Sequence, residues 1–328
     1  MIAAWNRLFH QPTDPRIPAL IRIGVACLVL INLVAWYPYL EMWFGETGVL
    51  PGDVWRNPND RTTPLFQPWS LLAMVPRGHA ALLACYIIFL LQTVCLLFGF
   101  ASRFSATSVF VWLVSFQNRN VMILDGEDDV LRIISFLLIF MPLAEVWSVD
   151  AWLRQRGSKQ KLSEITEPAY QSHCSPWAVR MLQYFMVLVM FATGLYKLAG
   201  EPWRDGTALY YVARIDDLFG RFPVPHYLFD TPWSVRAMTW CVLYVELAIP
   251  FLIWIPKARR FSLLVLLGFH LSNEWAMHLF LFHWIMLCGW MSFLKKEDLD
   301  AVATFWRKVK GMSVRPRLRG QSVQVAPR

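Results

Sequence analysis

The sequence predicts an all-α polytopic membrane protein with about eight transmembrane helices and two long outward aromatic loops. Its composition gives the first reason: 56% of the 328 residues are hydrophobic and only 16% are charged, whereas soluble domains carry about a quarter charged residues. The second reason is the pattern, because apolar runs of about twenty residues alternate with short polar stretches. Together these observations exclude a soluble globular domain and a disordered chain.

Six spans are predicted from single apolar runs, each long enough to cross about 30 Å of hydrocarbon at about 1.5 Å per residue. They are Ile17–Leu40, His79–Ala101, Phe104–Leu124, Asp129–Val149, Trp177–Ala199 and Pro232–Ile255. The first run is longer than the apolar part of a signal peptide and no cleavage pattern follows it, so we expect it to be retained.

The last apolar block, Phe261–Leu294, is too long for one span and short for two. Polar residues from His270 to His278 cluster near its middle. We therefore expect two short spans that fold back at this cluster, which brings the total to eight. A chain of seven spans, with a single last helix, is the alternative.

Lysine and arginine counts indicate the orientation, because inner segments carry the positive excess. With the N-terminus inside, eight spans place 19 Lys and Arg residues in inner segments and 6 in outer ones. Seven spans would give 10 inside against 15 outside. We therefore expect both termini in the cytoplasm.

The segments between the spans suggest three regions. Glu41–Gly78 and Gly200–Thr231 are rich in Trp, Tyr, Phe and Pro, so we expect both to cap the outer side of the bundle. Residues 1–294 would form the transmembrane domain. An amphipathic cytoplasmic helix is expected over residues 295–310, and a disordered basic tail over residues 311–328.

Several function classes are disfavoured by composition and motifs. The net charge of +8 sits mostly beside the spans, so membrane orientation explains it and no nucleic-acid partner is expected. The six cysteines lack the spacing of a metal site, so no metal is expected. We find no GxGxxG, P-loop, HExxH or GxSxG motif.

Ionisable residues inside predicted spans are costly, so each one calls for a partner, a cavity or a boundary position. Lys197 ends the fifth span: it is a snorkelling anchor or a base whose amine is activated by desolvation. Glu246 must pair or take up a proton, and pairing with an arginine is the favoured interpretation. The turn from Arg119 to Asp129 is a solvated cap or the charged lining of an outward cavity.

His270 and Asn273 lie one helical turn apart and so share a face. They form a polar hinge or interhelical hydrogen bond, or they contribute to a site. His278 and His283 are five residues apart, which does not favour joint metal ligation.

Seven short motifs, in order, give a family resemblance. They are Arg22-Ile23-Gly24, Trp36–Leu40, Gly48–Pro51, Arg119-Asn120, Trp147–Asp150, Gly194–Leu198 and Phe269–Asn273. The chain in this respect resembles the horizontally transferred transmembrane (HTTM) domain, which is the membrane part of vitamin K-dependent γ-glutamyl carboxylases and of their bacterial relatives. The resemblance covers roughly residues 5–295.

The resemblance implies chemistry for particular residues. In the carboxylases, a lysine in a Gly-x-x-Lys-Leu sequence is the base associated with vitamin K hydroquinone oxygenation, and Lys197 matches it. His270 is a second catalytic candidate, while Asn273, Arg119 and Asn120 are candidates for binding a quinol of the menaquinone, ubiquinone or vitamin K type. The implied protein is a carboxylase-like enzyme coupled to quinol oxidation, with an outward-facing site around Lys197.

Departures from the family pattern keep another function open. Glu145 stands where the carboxylases have a functional histidine, and Ala199 where they have an acidic residue. The chain also ends about thirty residues after the last span, without the large lumenal domain of the carboxylases. The alternative is a non-catalytic membrane partner or assembly factor whose aromatic loops dock a membrane or periplasmic protein. A transporter is a third, less favoured, interpretation because no inverted repeat is evident.

Overall fold

The computed structural model describes residues 13–56, 69–157, 177–225 and 227–310. Within these ranges the chain is helical and contains no β-strand; the only extended pairing there is an isolated antiparallel bridge between Phe219 and Met277. The all-α class predicted from the sequence is therefore confirmed.

Eight helices occupy the regions predicted as spans. They are α1 (Arg16–Trp36), α2 (His79–Phe98), α3 (Ser102–Arg119), α4 (Gly126–Leu138), α5 (Trp177–Ala199), α6 (Pro232–Leu252), α7 (Arg259–Ala276) and α8 (Phe282–Trp290). Shorter helices lie between and after them: Leu40–Phe44, Gly52–Arg56, Val149–Gly157, Glu201–Arg204, Ala208–Val212 and Tyr227–Asp230. Single 3-10 turns are found at Tyr37–Tyr39, Leu71–Ala73, Val121–Ile123 and Met291–Phe293.

Four helices of the described chain are long and apolar enough to cross a membrane: Arg16–Phe44, His79–Phe98, Trp177–Ala199 and Pro232–Leu252. These helices support a membrane protein. The remaining four are shorter or more polar, as α8 with 9 residues shows. A helix of that length rises only about 14 Å. Eight crossings therefore remain a prediction.

Helix α4 is shorter than the sequence predicted. A span was expected over Asp129–Val149, but the helix runs from Gly126 to Leu138. The physical reason is Pro142, whose ring would clash with the carbonyl four residues earlier, that of Leu138. At the start of α4, the Asp128 carboxylate accepts a hydrogen bond from the Asp125 N–H at 3.0 Å, which fixes the first turn.

The last apolar block is divided into two helices, as predicted. Helix α7 ends at Ala276, where Met277 takes extended backbone angles and donates its N–H to the Asn273 carbonyl. Helix α8 begins at Phe282. The polar cluster thus lies on the last turns of α7 and in the connection to α8.

At one end of the bundle, which we call the Arg22 end, a buried arginine ties three segments together. Arg22 of α1 is fully buried and donates to the Trp147 carbonyl at 2.5 Å. Gly99 has a φ of +65°, and a Cβ there would lie 1.5 Å from Arg22 Nη1, so glycine is required. Asp150 accepts hydrogen bonds from the N–H groups of Ala101 and Ser102, at 2.9 and 2.8 Å, and so caps α3.

The opposite end, which we call the loop end, gathers both long aromatic segments. Trp55 donates its indole N–H to the Asn118 carbonyl at 2.9 Å, which fixes the first segment against α3. Gly220 donates to the Ala276 carbonyl at 2.8 Å, which fixes the second against the α7–α8 connection. Both segments therefore cap the same end of the helices.

Residues up to Phe293 form one compact unit, and the chain from Leu294 belongs to a second. In the second unit a helix runs over Lys296–Val309. Val302, Phe305, Trp306 and Val309 are exposed on it. This spacing gives the helix one apolar stripe. The predicted disordered tail, residues 311–328, lies outside the described residues.

Candidate functional site

Lys197 and Glu246 form an ion pair between α5 and α6. The Lys197 ammonium donates a hydrogen bond to Glu246 Oε1. The Glu246 side chain is 6% exposed and that of Lys197 28% exposed, so the carboxylate lies inside the bundle and the amine reaches its surface. The sequence correctly indicated that Glu246 needs a partner, but the expectation of an arginine was wrong. Lys197 fills this role because α5 and α6 are direct neighbours.

Gly194 makes this pairing possible. A Cβ at Gly194 would lie 2.9 Å from a methyl carbon of Leu247 and 3.2 Å from Glu246 Cβ, so a side chain there would require its neighbours on α6 to shift. Lys197 follows Gly194 by three residues, which is nearly one helical turn, and therefore lies on the same side of α5. In the Gly-x-x-Lys sequence, the glycine thus lies at a close contact between α5 and α6, and the lysine places its amine beside that contact.

The surroundings of Lys197 are aromatic and apolar. Its Nζ lies 5.2 Å from the centroid of the Trp203 ring, which follows α5 on the helix Glu201–Arg204. This distance is within the range of a cation–π contact. Its neighbours on α5 are exposed: Leu195 is 47%, Tyr196 83% and Leu198 41% exposed. In a membrane such side chains contact lipid, so the amine borders a surface that a lipid-soluble molecule could reach.

Arg119 lies elsewhere, at the loop end of α3. It is 1% exposed. Its guanidinium donates to the carbonyls of Gly45 at 2.5 Å and Leu50 at 3.0 Å, and lies 4.9 Å from the centroid of the Trp55 ring. Its donors therefore hold the first aromatic segment in place.

Asn120 has a similar position. Its amide donates to the Trp43 carbonyl at 2.9 Å, and its Oδ1 accepts the Met122 N–H at 3.1 Å. In the same segment Arg56 donates two hydrogen bonds of 2.6 Å to the Glu46 carboxylate. This contact holds the pKa of Glu46 below its usual value.

His270 belongs to a buried chain of hydrogen bonds between α7 and α8. Trp290 Nε1 lies 3.2 Å from His270 Nε2, and His270 Nδ1 lies 3.2 Å from His283 Nδ1. An indole N–H can only donate, so His270 Nε2 accepts and its proton is on Nδ1. His270 Nδ1 then donates to His283, which places the proton of His283 on Nε2. That atom is buried and has no hydrogen-bond partner among the described residues.

One turn along α7 from His270, Glu274 is the partner of Arg221 from the second aromatic segment. Glu274 Oε2 is also buried without a hydrogen-bond partner in the described part of the chain. Arg221 interacts electrostatically with His283 as well. Asn273 is only half-buried; its carbonyl accepts the Met277 N–H.

The candidate residues therefore fall into three places. Lys197 is at the α5–α6 contact, Arg119 and Asn120 hold the first aromatic segment, and His270 lies between α7 and α8. Within the described residues no hydrogen bond, ion pair or ring contact joins these groups to one another. The single outward-facing site that the sequence suggested for these residues stays a prediction.

Two partners, Trp290 and Arg221, were not singled out from the sequence, and the pairing of His283 with His270 was not predicted. The spacing of His283 was compared only with that of His278, whereas its partner is thirteen residues away across a helix connection. Trp290 and Arg221 carry no local signal, because tryptophan and arginine are common in this chain. The part of the chain that the structure describes holds no group of three or more His, Cys, Asp or Glu side chains arranged for a metal ion.

The helical bundle, its apolar spans and its buried ionisable residues define the class as an integral membrane protein of the polytopic helical type. The chain belongs to the HTTM family, since the model of the HTTM domain matches residues 10–297.

Among relatives, the chain is similar to a Bacillus subtilis (strain 168) protein described as the uncharacterized protein YitO. The two are 23% identical over 205 residues, which cover 61% of this chain and 62% of that protein. The match thus spans less than two thirds of the relative. No solved structure matches the chain.

Proposed function

We propose that this HTTM protein is a membrane enzyme in which Lys197 and Glu246 transfer a proton to and from a lipid-soluble, quinol-like substrate. The observation that carries the proposal is the ion pair itself: an amine at the bundle surface backed by a buried carboxylate. A carboxylate removed from water is less favourable in its charged form, and a direct hydrogen bond to an ammonium provides a path for a proton to reach it.

The proton balance uses the two side chains of the chain alone. When Lys197 Nζ gives its proton to the Glu246 carboxylate, both groups become neutral. The neutral amine can then accept a proton from a hydroxyl presented at Nζ and become an ammonium again, with Glu246 retaining the first proton until it is released.

The residues present fit a quinol. Trp203 and the exposed Leu195, Tyr196 and Leu198 give the amine an aromatic and apolar border that suits a lipid-soluble ring. When bound, a quinol would supply two ionisable hydroxyl groups and two electrons, with dioxygen as the oxidant that takes up the electrons. Resemblance to the carboxylases supports this role for Lys197, because a lysine in the same Gly-x-x-Lys-Leu sequence is their base.

The experiment measures oxygen-dependent oxidation of menaquinol and ubiquinol by the full chain in proteoliposomes. Compared at equal amounts of folded protein, Lys197→Met should abolish turnover, whereas Lys257→Met, at an exposed lysine between α6 and α7, should leave it unchanged. Equal rates for wild type and Lys197→Met, or no oxidation of either quinol, would contradict the proposal. Mass spectrometry of copurified lipids provides a second measurement, with a stoichiometric quinone as the expected result.

A second candidate function is a non-catalytic membrane partner or assembly factor. The observation in its favour is that Arg119 and Asn120 bind backbone carbonyls of the first aromatic segment, so they hold in place a segment with exposed apolar side chains. Val49 and Val54 are 53% and 48% exposed on that surface. Photocrosslinkers at these two positions should then capture one stable protein partner, equally well in wild type and Lys197→Met.

The proposed setting is the inner membrane of a bacterium, with both termini and the helix Lys296–Val309 in the cytoplasm. The support is the excess of Lys and Arg in the segments at the Arg22 end. Labelling of single cysteines in intact cells tests it: a membrane-impermeant reagent should modify a cysteine at Val49 and not one at Lys257.

A further inference from the structure

A cavity of about 360 Å³ lies at the loop end, and neither residue of the Lys197–Glu246 pair lines it. It lies between the end of α1, the segment that follows it, the start of α4 and the start of α8. Its volume is in the range of sites for small organic ligands. Neither Lys197 nor His270 lines it.

Aromatic rings form one wall of the cavity. Trp36, Tyr39 and Trp43 line it, and the ring centroids of Tyr39 and Trp43 are 5.0 Å apart. Trp36 is 6% exposed, and its ring centroid lies 5.1 Å from that of Phe44. The hydrogen bond from Asn120 to the Trp43 carbonyl fixes the backbone of this wall. Aromatic rings attract cations through their π-electron faces.

Carboxylates also line the cavity. Asp125, Glu127 and Asp128 line the cavity, and among the described residues that line it none is Lys, Arg or His. Glu127 has no ion-pair partner in the described part of the chain. The nearest arginine along the chain, Arg132, donates instead to Gln117 Oε1 at 2.9 Å. Acidic side chains therefore outnumber basic ones among the described residues that line the cavity.

Asn32 adds an independent sign that a polar ligand belongs here. It is 7% exposed, its side chain lines the cavity, and it has no hydrogen bond within the residues described. Buried amide groups almost always have a hydrogen-bond partner, since leaving one unsatisfied costs about 1–3 kcal/mol. The oxygen of the Asn32 amide can accept a hydrogen bond from a donor that carries a positive charge.

We propose that this cavity binds a small organic cation with an ammonium head group, held by the aromatic rings, by Glu127 and by the Asn32 amide. A bare metal ion fits less well, because no three carboxylates or histidines of the described chain converge on one point. The ammonium group belongs either to a free amine or to the head group of a zwitterionic lipid, since the cavity lies at an end of the bundle.

The first test uses the wild-type full chain in detergent and titrates it calorimetrically with choline and ethanolamine. The control ligand is 3,3-dimethylbutan-1-ol, which has the shape of choline without its charge. We expect at least one of the two cations to bind more tightly than the neutral alcohol, by about tenfold or more. This factor corresponds to the loss of one charge-assisted contact. Equal affinities for choline and the alcohol, or no binding of either cation together with no lipid enrichment, would overturn the proposal.

Variants locate the site. Glu127→Gln keeps the shape of the side chain and removes its charge, so it should weaken cation binding about tenfold. The matched control is Glu201→Gln, at an exposed carboxylate on the second aromatic segment, and it should bind as wild type does. Unchanged affinity in Glu127→Gln with a normal unfolding temperature would place the binding elsewhere and contradict the proposal.

Experiments with lipid distinguish the two sources of the ammonium group, a lipid head group and a free amine. Native mass spectrometry after extraction from vesicles of phosphatidylethanolamine and phosphatidylglycerol should show retained phosphatidylethanolamine if a lipid head group is bound, and less of it in Glu127→Gln. If a free amine is bound instead, choline should bind equally in nanodiscs with and without phosphatidylethanolamine. Either result supports the ammonium site and identifies its ligand.

Discussion

Gly194 on α5 lies close against Glu246 on α6: a Cβ at Gly194 would lie 3.2 Å from Glu246 Cβ, which is tighter than most side-chain contacts. This contact brings the next turn of α5, which carries Lys197, to the buried carboxylate. Close packing through a small residue, followed by an ion pair, is how membrane helices without a hydrophobic driving force are held together.

The first prediction concerns this close contact. Gly194→Leu should force α5 and α6 apart and lower the free energy of unfolding by about 1–3 kcal/mol, as overpacking does. The control is Gly268→Leu on α7, where a Cβ would meet nothing within 4 Å. Thermal unfolding in detergent should show a loss for Gly194→Leu and none for Gly268→Leu. Equal stability of the two variants would contradict the close contact.

The second prediction separates the structural and chemical contributions of the ion pair. Lys197→Met leaves the Glu246 carboxylate buried without its partner, which should cost about 3 kcal/mol, the lower end of the usual range because Lys197 is 28% exposed. Lys197→Met with Glu246→Leu removes both charges and should recover most of that stability. A double-mutant cycle of unfolding free energies measures this coupling.

If the pair transfers protons, the stable double variant should still be inactive in quinol oxidation. Recovery of activity together with stability would show that the pair is structural only.

A third prediction concerns the tautomer of His270. Trp290→Phe removes the indole N–H that His270 Nε2 accepts and leaves a buried acceptor unsatisfied, so it should cost about 1–3 kcal/mol. Nitrogen-15 NMR of labelled histidine should show the proton of His270 on Nδ1 in wild type. Trp284→Phe is the control, since Trp284 is on the same helix, is 45% exposed and makes no hydrogen bond in the described residues.

The fourth prediction tests whether Arg119 holds the first aromatic segment in place or binds a ligand. Arg119→Lys cannot reach both the Gly45 and Leu50 carbonyls in the planar geometry of a guanidinium, so the segment after α1 should open locally. Limited proteolysis between Gly45 and Arg56 should become about tenfold faster, as for the loss of one charge-assisted hydrogen bond. Arg103→Lys, at an exposed arginine, should leave cleavage unchanged.

The fifth prediction concerns pH. Arg56 lowers the pKa of Glu46 in the folded state, so the pair stabilises the fold above the unfolded pKa, near 4.5, and loses this contribution as the pH falls through the folded pKa. The stability difference between wild type and Glu46→Gln should be constant at neutral pH and shrink below pH 4.5. Arg56→Gln should remove the same pH-dependent part, and a difference that grows in acid would have the wrong sign.

Much of the fold could be predicted from local pattern. The bounds predicted for the span Trp177–Ala199 are those of α5, and the division of the last block at its polar cluster is seen between Ala276 and Phe282. The span expected over Asp129–Val149 was too long. Apolar composition continues past Leu138, but Pro142 breaks the helix in the preceding turn. Hydropathy averages a window of residues and does not register one broken hydrogen bond.

The partners of the candidate residues could not be predicted. Lys197 was identified as a residue needing an explanation, but its pairing with Glu246 depends on which helix faces α5, and the two residues are 49 positions apart. Asn32 was not predicted as a site residue, because an asparagine in a span is informative only when its surroundings are known.

The sequence by itself determined the class of protein, its family and the residues whose burial demands a reason, since the cost of placing a backbone or a charge in hydrocarbon depends on the local chain. Only the tertiary structure decided which partners these buried residues have. It pairs Lys197 with Glu246, links His270 to His283 and Trp290, and encloses the acidic aromatic cavity beside Asn32. These contacts join segments distant in the chain, and the side-chain geometry that satisfies a buried polar group exists only once the helices have packed.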